Sequence, residues 1–123
     1  MELKIKVNVD PMPAPRPRSG SRGVYMPKAY QNYKEVIGYA GRAAMSGRSP
    51  ASETLAVELK FRRKYKVASR RFGDLDNLVK GVMDALNGIC FEDDALVTKV
   101  TAMKEQTDSP GIEILIHSIG TFG

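Results

Sequence analysis

Two short groups of aspartates are the residues of this sequence best suited to chemistry. Asp74 and Asp76 flank Leu75, and Asp93 stands beside Asp94. Because Leu75 is expected to point into the core, its two neighbours can both reach one site at the surface. Carboxylate oxygens are the ligands that a hard cation such as Mg²⁺ prefers, and Mg²⁺ keeps several waters and leaves room for phosphate. A metal held in this way polarises a phosphoryl oxygen and generates an attacking hydroxide, so the aspartates indicate phosphodiester chemistry.

A lysine accompanies the acidic residues at helical spacing. Asp76, Lys80 and Asp84 follow one another at intervals of four residues, so a helix would carry them on a single face. Lys80 would then stand one turn from Asp76, where it can steady developing charge or position a water. Asp93 and Asp94 precede the next strand and are expected to fold back toward the helix start.

Simpler structural roles compete with this interpretation. Aspartate at a helix start is usually a cap that also favours the helix dipole, and an aspartate pair before a strand is often only a turn. An EF-hand is excluded because its fifth and sixth positions would be Leu78 and Val79, where that loop needs an oxygen ligand and a glycine. Aspartate pairs of this spacing also occur in glycosyl and nucleotidyl transferases, but no phosphate-cradling glycine loop or nucleotide fingerprint supports them.

A cationic strip leads directly into the first aspartates. The chain has a formal net charge of +5 and a pI near 9.4. Seven of the twelve residues from Lys60 to Arg71 are basic and none is acidic: Lys60, Arg62, Arg63, Lys64, Lys66, Arg70 and Arg71. We predict that this run binds DNA phosphates, which would give strong salt dependence and little base specificity. The alternative is a solvated charged loop.

Other residues extend the predicted DNA surface or sit at its border. Arg16, Arg18 and Arg22 belong to a proline-rich segment, and Lys80 adds a cation beside the aspartates. Phe72, at the end of the basic run, is expected to anchor the loop in the core, and the alternative is that it stacks on an unpaired base.

The elements that must position these residues follow from hydrophobic periodicity. Alternation predicts strands over residues 3–9, 55–61, 97–104 and 112–119. Spacings of three and four predict one helix from Tyr30 to Ala44, with Tyr30, Tyr33 and Tyr39 as packing residues, and another from Leu75 to Leu86. Four prolines make residues 11–23 an extended arm, and the basic run is interpreted as a loop or mobile hairpin. The order β-α-β-α-β-β predicts one α+β domain over residues 1–123.

Composition limits the cellular context. No apolar stretch is long enough to cross a bilayer, and no segment has the pattern of a signal peptide. Cys90 is the only cysteine, so it has no internal disulfide partner, and we interpret it as a buried thiol. The chain is therefore expected to be cytoplasmic.

The order of the motifs resembles the RusA family of Holliday junction resolvases. The matching blocks are Gly73–Lys80 (GDLDNLVK), Asp84–Gly88 (DALNG) and Glu92–Val97 (EDDALV), with weaker similarity of Pro15–Arg18 and Val24–Pro27 to the family's arm. The resemblance implies that Asp74, Asp76 and Asp94 are catalytic, metal-binding carboxylates, that Lys80 is the essential lysine, and that Asp93 supports them. Leu96 departs from the pattern, since the family often has glutamine there.

The resemblance also implies how the protein would act. RusA-like proteins are homodimers that place two Mg²⁺-dependent sites across a four-way DNA junction and cut two strands symmetrically, in DNA recombination and repair. Such proteins come from bacterial chromosomes or prophages. Two alternatives stay open: a nucleic-acid-binding module without catalysis, and a nuclease that prefers flaps or forks.

Overall fold

Strands make up the larger share of the regular elements in this computed structural model, which describes residues 1–15, 18–20 and 23–119. The strands are β1 (Glu2–Val7), β2 (Arg18–Gly20), β3 (Gly23–Tyr25), β4 (Leu55–Arg63), β5 (Val97–Gln106) and β6 (Gly111–Ser118). The helices are α1 (Lys28–Met45) and α2 (Leu75–Leu86), with one 3₁₀ turn at Asp94–Leu96. The predicted single α+β domain is confirmed.

The main sheet is mixed and has the strand order β1-β6-β4-β5. β6 lies antiparallel between β1 and β4, whereas β5 runs parallel to β4. A parallel neighbour requires a crossover, and α2 provides it. The short connection after β5 does not form a hairpin. It passes the end of β4, where the Thr107 N–H donates to the Arg63 carbonyl at 2.9 Å, and enters β6 on the far side.

Both helices cover one face of this sheet. Alternate residues of the strands are buried beneath them, such as Leu59 and Phe61 of β4. The helices run in the same direction, because Tyr30 of α1 meets Gly81 of α2 while Gly41, further along, meets Leu86. A Cβ built at Gly41 would lie 2.7 Å from the Leu86 Cδ2, so this glycine allows the close approach. The start of α2 therefore lies at the same end of the layer as the start of α1.

The arm contains a short hairpin that the sequence interpretation lacked. Residues 18–20 pair antiparallel with residues 23–25 as β2 and β3. Prolines stop at Pro17, so every residue of these two strands has an N–H with which to pair. The prediction of an extended loop or arm over residues 11–23 did not include this pairing, in which residues 18–20 and 23 of that segment take part.

The basic run begins inside a strand and not in a loop. β4 continues to Arg63, so Lys60, Arg62 and Arg63 are strand residues, and the irregular segment covers residues 64–73. The alternation of β4 extends through buried Phe61, and Arg62 on the opposite face pairs with Glu113 of β6. The prediction that the whole run is a loop or mobile hairpin is therefore wrong for its first part.

The structure also tests the packing role that was predicted for three tyrosines of α1. Tyr30 and Tyr33 are buried packing residues as expected, but Tyr39 is 68% exposed, so its prediction as a packing residue is wrong. Tyr39 lies on the solvent side of α1, which the sheet does not cover.

Neither helix of the described residues combines the length and apolar character needed to span a membrane.

Candidate active site

The start of α2 carries the first acidic pair. Asp74 occupies the N-cap position with an extended backbone, but its carboxylate makes no capping hydrogen bond to the helix. Asp76 lies in the first turn and is exposed, as is Asp74. Capping therefore does not account for the Asp74 side chain, and both carboxylates are available to a ligand.

The predicted polar face of α2 is confirmed. Asp76, Lys80 and Asp84 are all exposed, while Leu78 and Val82 between them are fully buried. One helical turn separates each of the three from the next, about 6 Å along the axis. Lys80 thus stands between two carboxylates on a single surface.

The second acidic pair approaches this face from the turn before β5. The Asp93 carboxylate caps the 3₁₀ turn by accepting from the Ala95 N–H at 3.0 Å, and this bond holds the pKa of Asp93 below its ordinary value. A hydrogen bond with Asp93 raises the pKa of Asp94, the nearby charges of Asp93 and Asp84 act in the same direction, and Lys80 opposes them. Asp94 therefore shares an electrostatic environment with Lys80 and Asp84. These two residues lie about one and two helical turns after Asp76 along α2.

The candidate ligand atoms are carboxylate oxygens, which is the type of ligand that Mg²⁺ prefers. The candidate ligands are exposed carboxylates, and the negative charge around Asp94 is of the sort that a divalent cation neutralises. In geometry, however, no group of three or more histidines, cysteines or acidic residues among the described residues is close enough to hold a metal. Mg²⁺ is commonly bound by one or two carboxylates, with waters and substrate phosphates completing its shell, so a closed protein cage is not required.

The basic run divides into an internally paired part and a free part. Within β4, Lys60 lies 3.9 Å from Glu105, and Arg62 bonds Glu113 at 2.8 Å and Glu105 at 3.4 Å. The Arg62 and Glu113 pair raises the pKa of the arginine and lowers that of the acid. These cations are occupied on the sheet face away from the helices.

The free part is the irregular segment before α2. Its four basic residues are exposed and take part in no salt bridge within the described part of the chain: Lys64, Lys66, Arg70 and Arg71. This group, called the cation loop below, leads through Phe72 and Gly73 to Asp74. Arg16 and Arg22 lie outside the described residues, and of Arg18 the structure describes only the backbone in β2.

Phe72 belongs to the core. Its side chain is 0% exposed and joins the hydrophobic cluster beneath the sheet, which confirms the expected role as a loop anchor. Cys90 is also fully buried, and burial raises the pKa of its thiol to about 11.

Sequence reasoning missed two residues that contact the backbone just before Asp74. Arg63, which the sequence predicts to bind phosphate, hydrogen-bonds the carbonyl groups of Arg71 and Phe72, and Lys104 hydrogen-bonds that of Gly73. A signal for Lys104 was present in the sequence. It falls in phase with Val100 and Ala102, which share the helix-facing side of β5, and a lysine on that side needs a polar partner.

Comparisons with known proteins agree with the motifs. The family model of endodeoxyribonuclease RusA matches residues 8–117, nearly the whole chain. An uncharacterized protein of Bacillus subtilis (strain 168), YqaN, is 39% identical over 46 residues, which is 37% of this chain and 32% of YqaN. The aligned part thus spans about a third of that relative, and the broader likeness rests on the family model.

Proposed function

The chain belongs to the RusA endodeoxyribonuclease family, and on that premise we propose that it is a Mg²⁺-dependent endonuclease that resolves four-way DNA junctions in recombination and repair. The observation that carries the proposal is that Asp94 lies in the electrostatic field of Lys80 and Asp84 on α2, while exposed Asp74 and Asp76 stand at the start of the same helix, directly after the cation loop.

Each residue of the site has a separate role in this proposal. Asp74, Asp76 and Asp94 would hold Mg²⁺, which when bound polarises the scissile phosphate and lowers the pKa of a water. Lys80 offers a cation to the developing negative charge on the phosphate oxygens. Asp93, whose carboxylate is fixed by its bond to the Ala95 N–H, supports the neighbouring Asp94.

The cation loop is the proposed phosphate-binding surface, together with Arg16, Arg18 and Lys80. Its four cations make no salt bridge with any other residue that the structure describes, so DNA binding does not have to break an ion pair there. Neutralising four phosphates gives a slope of about −3.6 in a plot of log affinity against log salt concentration. We leave out Arg62 and Arg63, because their guanidinium groups already bond acidic residues of the same chain.

A homodimer completes the proposal. One protomer offers one set of candidate metal-binding carboxylates, and paired nicks in a four-way junction require two such sets. The junction has two-fold symmetry, which a two-fold symmetric enzyme matches best.

The test of the site is Asp76→Asn, with Asp108→Asn as the matched control in the exposed turn before β6. We expect Asp76→Asn to lower the rate of junction cleavage by more than about a hundredfold. Even substitution of residues that only hydrogen-bond a metal ligand lowers activity or metal affinity by about 10- to 100-fold. Junction binding should be retained or improved, because the change removes a charge that repels phosphate. The control should cleave normally.

Normal cleavage by Asp76→Asn would overturn the site assignment. Tight junction binding by the wild-type protein without cleavage, in both Mg²⁺ and Mn²⁺, would favour a binding module instead. Faster cleavage of flaps or forks than of four-way junctions would keep the nuclease and change its substrate.

A further inference from the structure

We propose that Arg63 and Lys104 are positioning residues that fix the backbone entering the active site at Asp74. Three consecutive carbonyl groups, those of Arg71, Phe72 and Gly73, each accept a hydrogen bond from one of these two side chains. The inference rests on the proposed function, since it assigns what holds the catalytic carboxylates of that site in place.

Arg63 makes four hydrogen bonds from the end of β4. Its Nη1 donates to the Arg71 carbonyl at 2.7 Å and to the Phe72 carbonyl at 3.0 Å. Its Nε and Nη2 form a two-pronged bond to the Asp10 carboxylate, at 2.9 and 3.2 Å. The ring of Tyr65 lies beside the guanidinium, 4.8 Å from its central carbon. One side chain thus links β4, Asp10 immediately before the arm, and the segment before α2.

Lys104 supplies the third bond from β5. Its Nζ donates to the Gly73 carbonyl at 2.9 Å and lies 5.2 Å from the centre of the Phe72 ring. Lys104 pairs with Phe61 across the parallel ladder, so it stands on the helix side of the sheet. A half-buried ammonium there is satisfied by the Gly73 carbonyl and the aromatic face.

The arm closes over the same backbone from the other side. Gly73 has φ of +100°, and a Cβ built on it would lie 2.9 Å from the ring of Pro13. The Ala14 N–H donates to the Asn77 carbonyl in the first turn of α2, at 3.4 Å. Because Arg63 also bonds Asp10, the residue immediately before the arm, the start of the arm and the approach to Asp74 are tied together at one arginine.

Positioning explains the Arg63 contacts better than phosphate binding does. The Arg63 side chain is only 11% exposed, whereas the residues of the cation loop are exposed. A phosphate would have to displace a bidentate carboxylate and two carbonyls to reach this guanidinium. Arginine is suited to the task because its planar fork holds five N–H donors in fixed directions, enough for a two-pronged carboxylate bond and two carbonyls, whereas lysine has three donors on a single atom.

The backbone restraint matters because the Asp74 side chain has none of its own toward the helix. The Asp74 carboxylate makes no capping bond, so the direction of its Cα–Cβ bond is set by the chain on either side. On one side α2 is fixed by packing, and on the other residues 71–73 are fixed by Arg63 and Lys104. Displacements of about 1 Å in a catalytic group can cost on the order of a hundredfold in rate.

The experiment compares Arg63→Gln, Arg63→Lys and Lys104→Met with two matched controls. Arg48→Gln removes another arginine that bonds backbone carbonyls, those of Met45 and Ala44, at the opposite end of the helical layer. Lys99→Met removes an exposed lysine of the same strand as Lys104. Single-turnover cleavage rate, junction Kd and the Mg²⁺ concentration for half-maximal rate are measured for each, with hydrogen exchange of the peptide covering residues 71–78.

We expect the three test variants to cleave about 10- to 100-fold more slowly and to need more Mg²⁺, while junction Kd changes by less than about twofold. Arg63→Lys should not restore the wild-type cleavage rate, since lysine lacks the fork. A further variant, Lys104→Arg, should restore the rate that Lys104→Met loses, since arginine retains a donor for the Gly73 carbonyl. Amides of residues 71–78 should exchange faster in the test variants. Both controls should match the wild-type protein in every measurement.

Other outcomes overturn the inference. If the test variants cleave at the wild-type rate, the two residues do not position the site. The same holds if junction affinity falls by the same factor as the cleavage rate. Should Arg63→Gln fail to fold, Lys104→Met, which removes a single hydrogen bond, decides. If the wild-type protein cleaves no junction, the proposed function fails, and hydrogen exchange alone then decides whether these side chains hold the segment. Unchanged exchange would overturn that as well.

Discussion

Replacement of Phe72 by alanine tests whether this aromatic ring belongs to the core or to a DNA surface. The side chain is 0% exposed and packs in the main hydrophobic cluster, and Lys104 lies against its ring. Phenylalanine-to-alanine changes in cores cost about 3–5 kcal/mol, and the lost cation–π contact adds about 0.5 kcal/mol or more. We therefore expect Phe72→Ala to lower the free energy of unfolding by about 4 kcal/mol.

That loss converts to a large change in melting temperature. An unfolding entropy of about 2.1 cal/mol/K per residue gives about 0.26 kcal/mol/K for 123 residues, so each kcal/mol lowers Tm by about 4 °C. The predicted decrease is then about 16 °C, measured by circular dichroism. Tyr39→Ala is the matched control, because this aromatic side chain is 68% exposed and its loss should cost less than about 0.5 kcal/mol. If Phe72→Ala melts within about 3 °C of the wild-type protein but binds junctions more weakly, the ring faces DNA and the reasoning is refuted.

Three further predictions concern stability and reactivity. Arg62 lowers the pKa of Glu113 below its ordinary value of 4.5, so this ion pair stabilises the fold above that pH and is lost as pH falls through the lowered pKa. Glu113→Gln should therefore lower the free energy of unfolding, measured in urea, by less than about 1 kcal/mol at pH 7 and leave it unchanged at pH 3; an equal difference at both would contradict the pairing. Gly41→Ala should destabilise by about 1–3 kcal/mol in urea unfolding, despite the better helix propensity of alanine, because its Cβ meets Leu86; a higher midpoint would contradict the packing. Cys90, with its pKa raised to about 11, should resist a thiol reagent at pH 8 until urea unfolds the chain, and rapid labelling of the folded protein would contradict its burial.

Periodicity was sufficient to predict the helices and the four strands of the main sheet. The apolar stripe of α2 and the Asn87-Gly88 stop located that helix, and alternation located the strands, because each element buries one face against a single core. The polar face of α2 was also readable, since helical spacing alone places Asp76, Lys80 and Asp84 on one side.

Contacts between distant segments were not readable. In the sequence, Arg63 is one more cation of a basic run. Its contacts with Asp10 and with the carbonyl groups before Asp74 arise only when the folded chain brings these distant segments together. Strand order was equally hidden, because β6 follows β5 after a short turn and yet pairs with β4. Such choices depend on the global topology and leave no local signature.

The most direct test of the central claim is a nicking assay on a synthetic four-way junction, beside a linear duplex of the same sequence, with and without Mg²⁺. We predict paired, symmetric cuts in the junction only, dependent on Mg²⁺. Equal cutting of the duplex, or junction binding without any cut in Mg²⁺ or Mn²⁺, would contradict it.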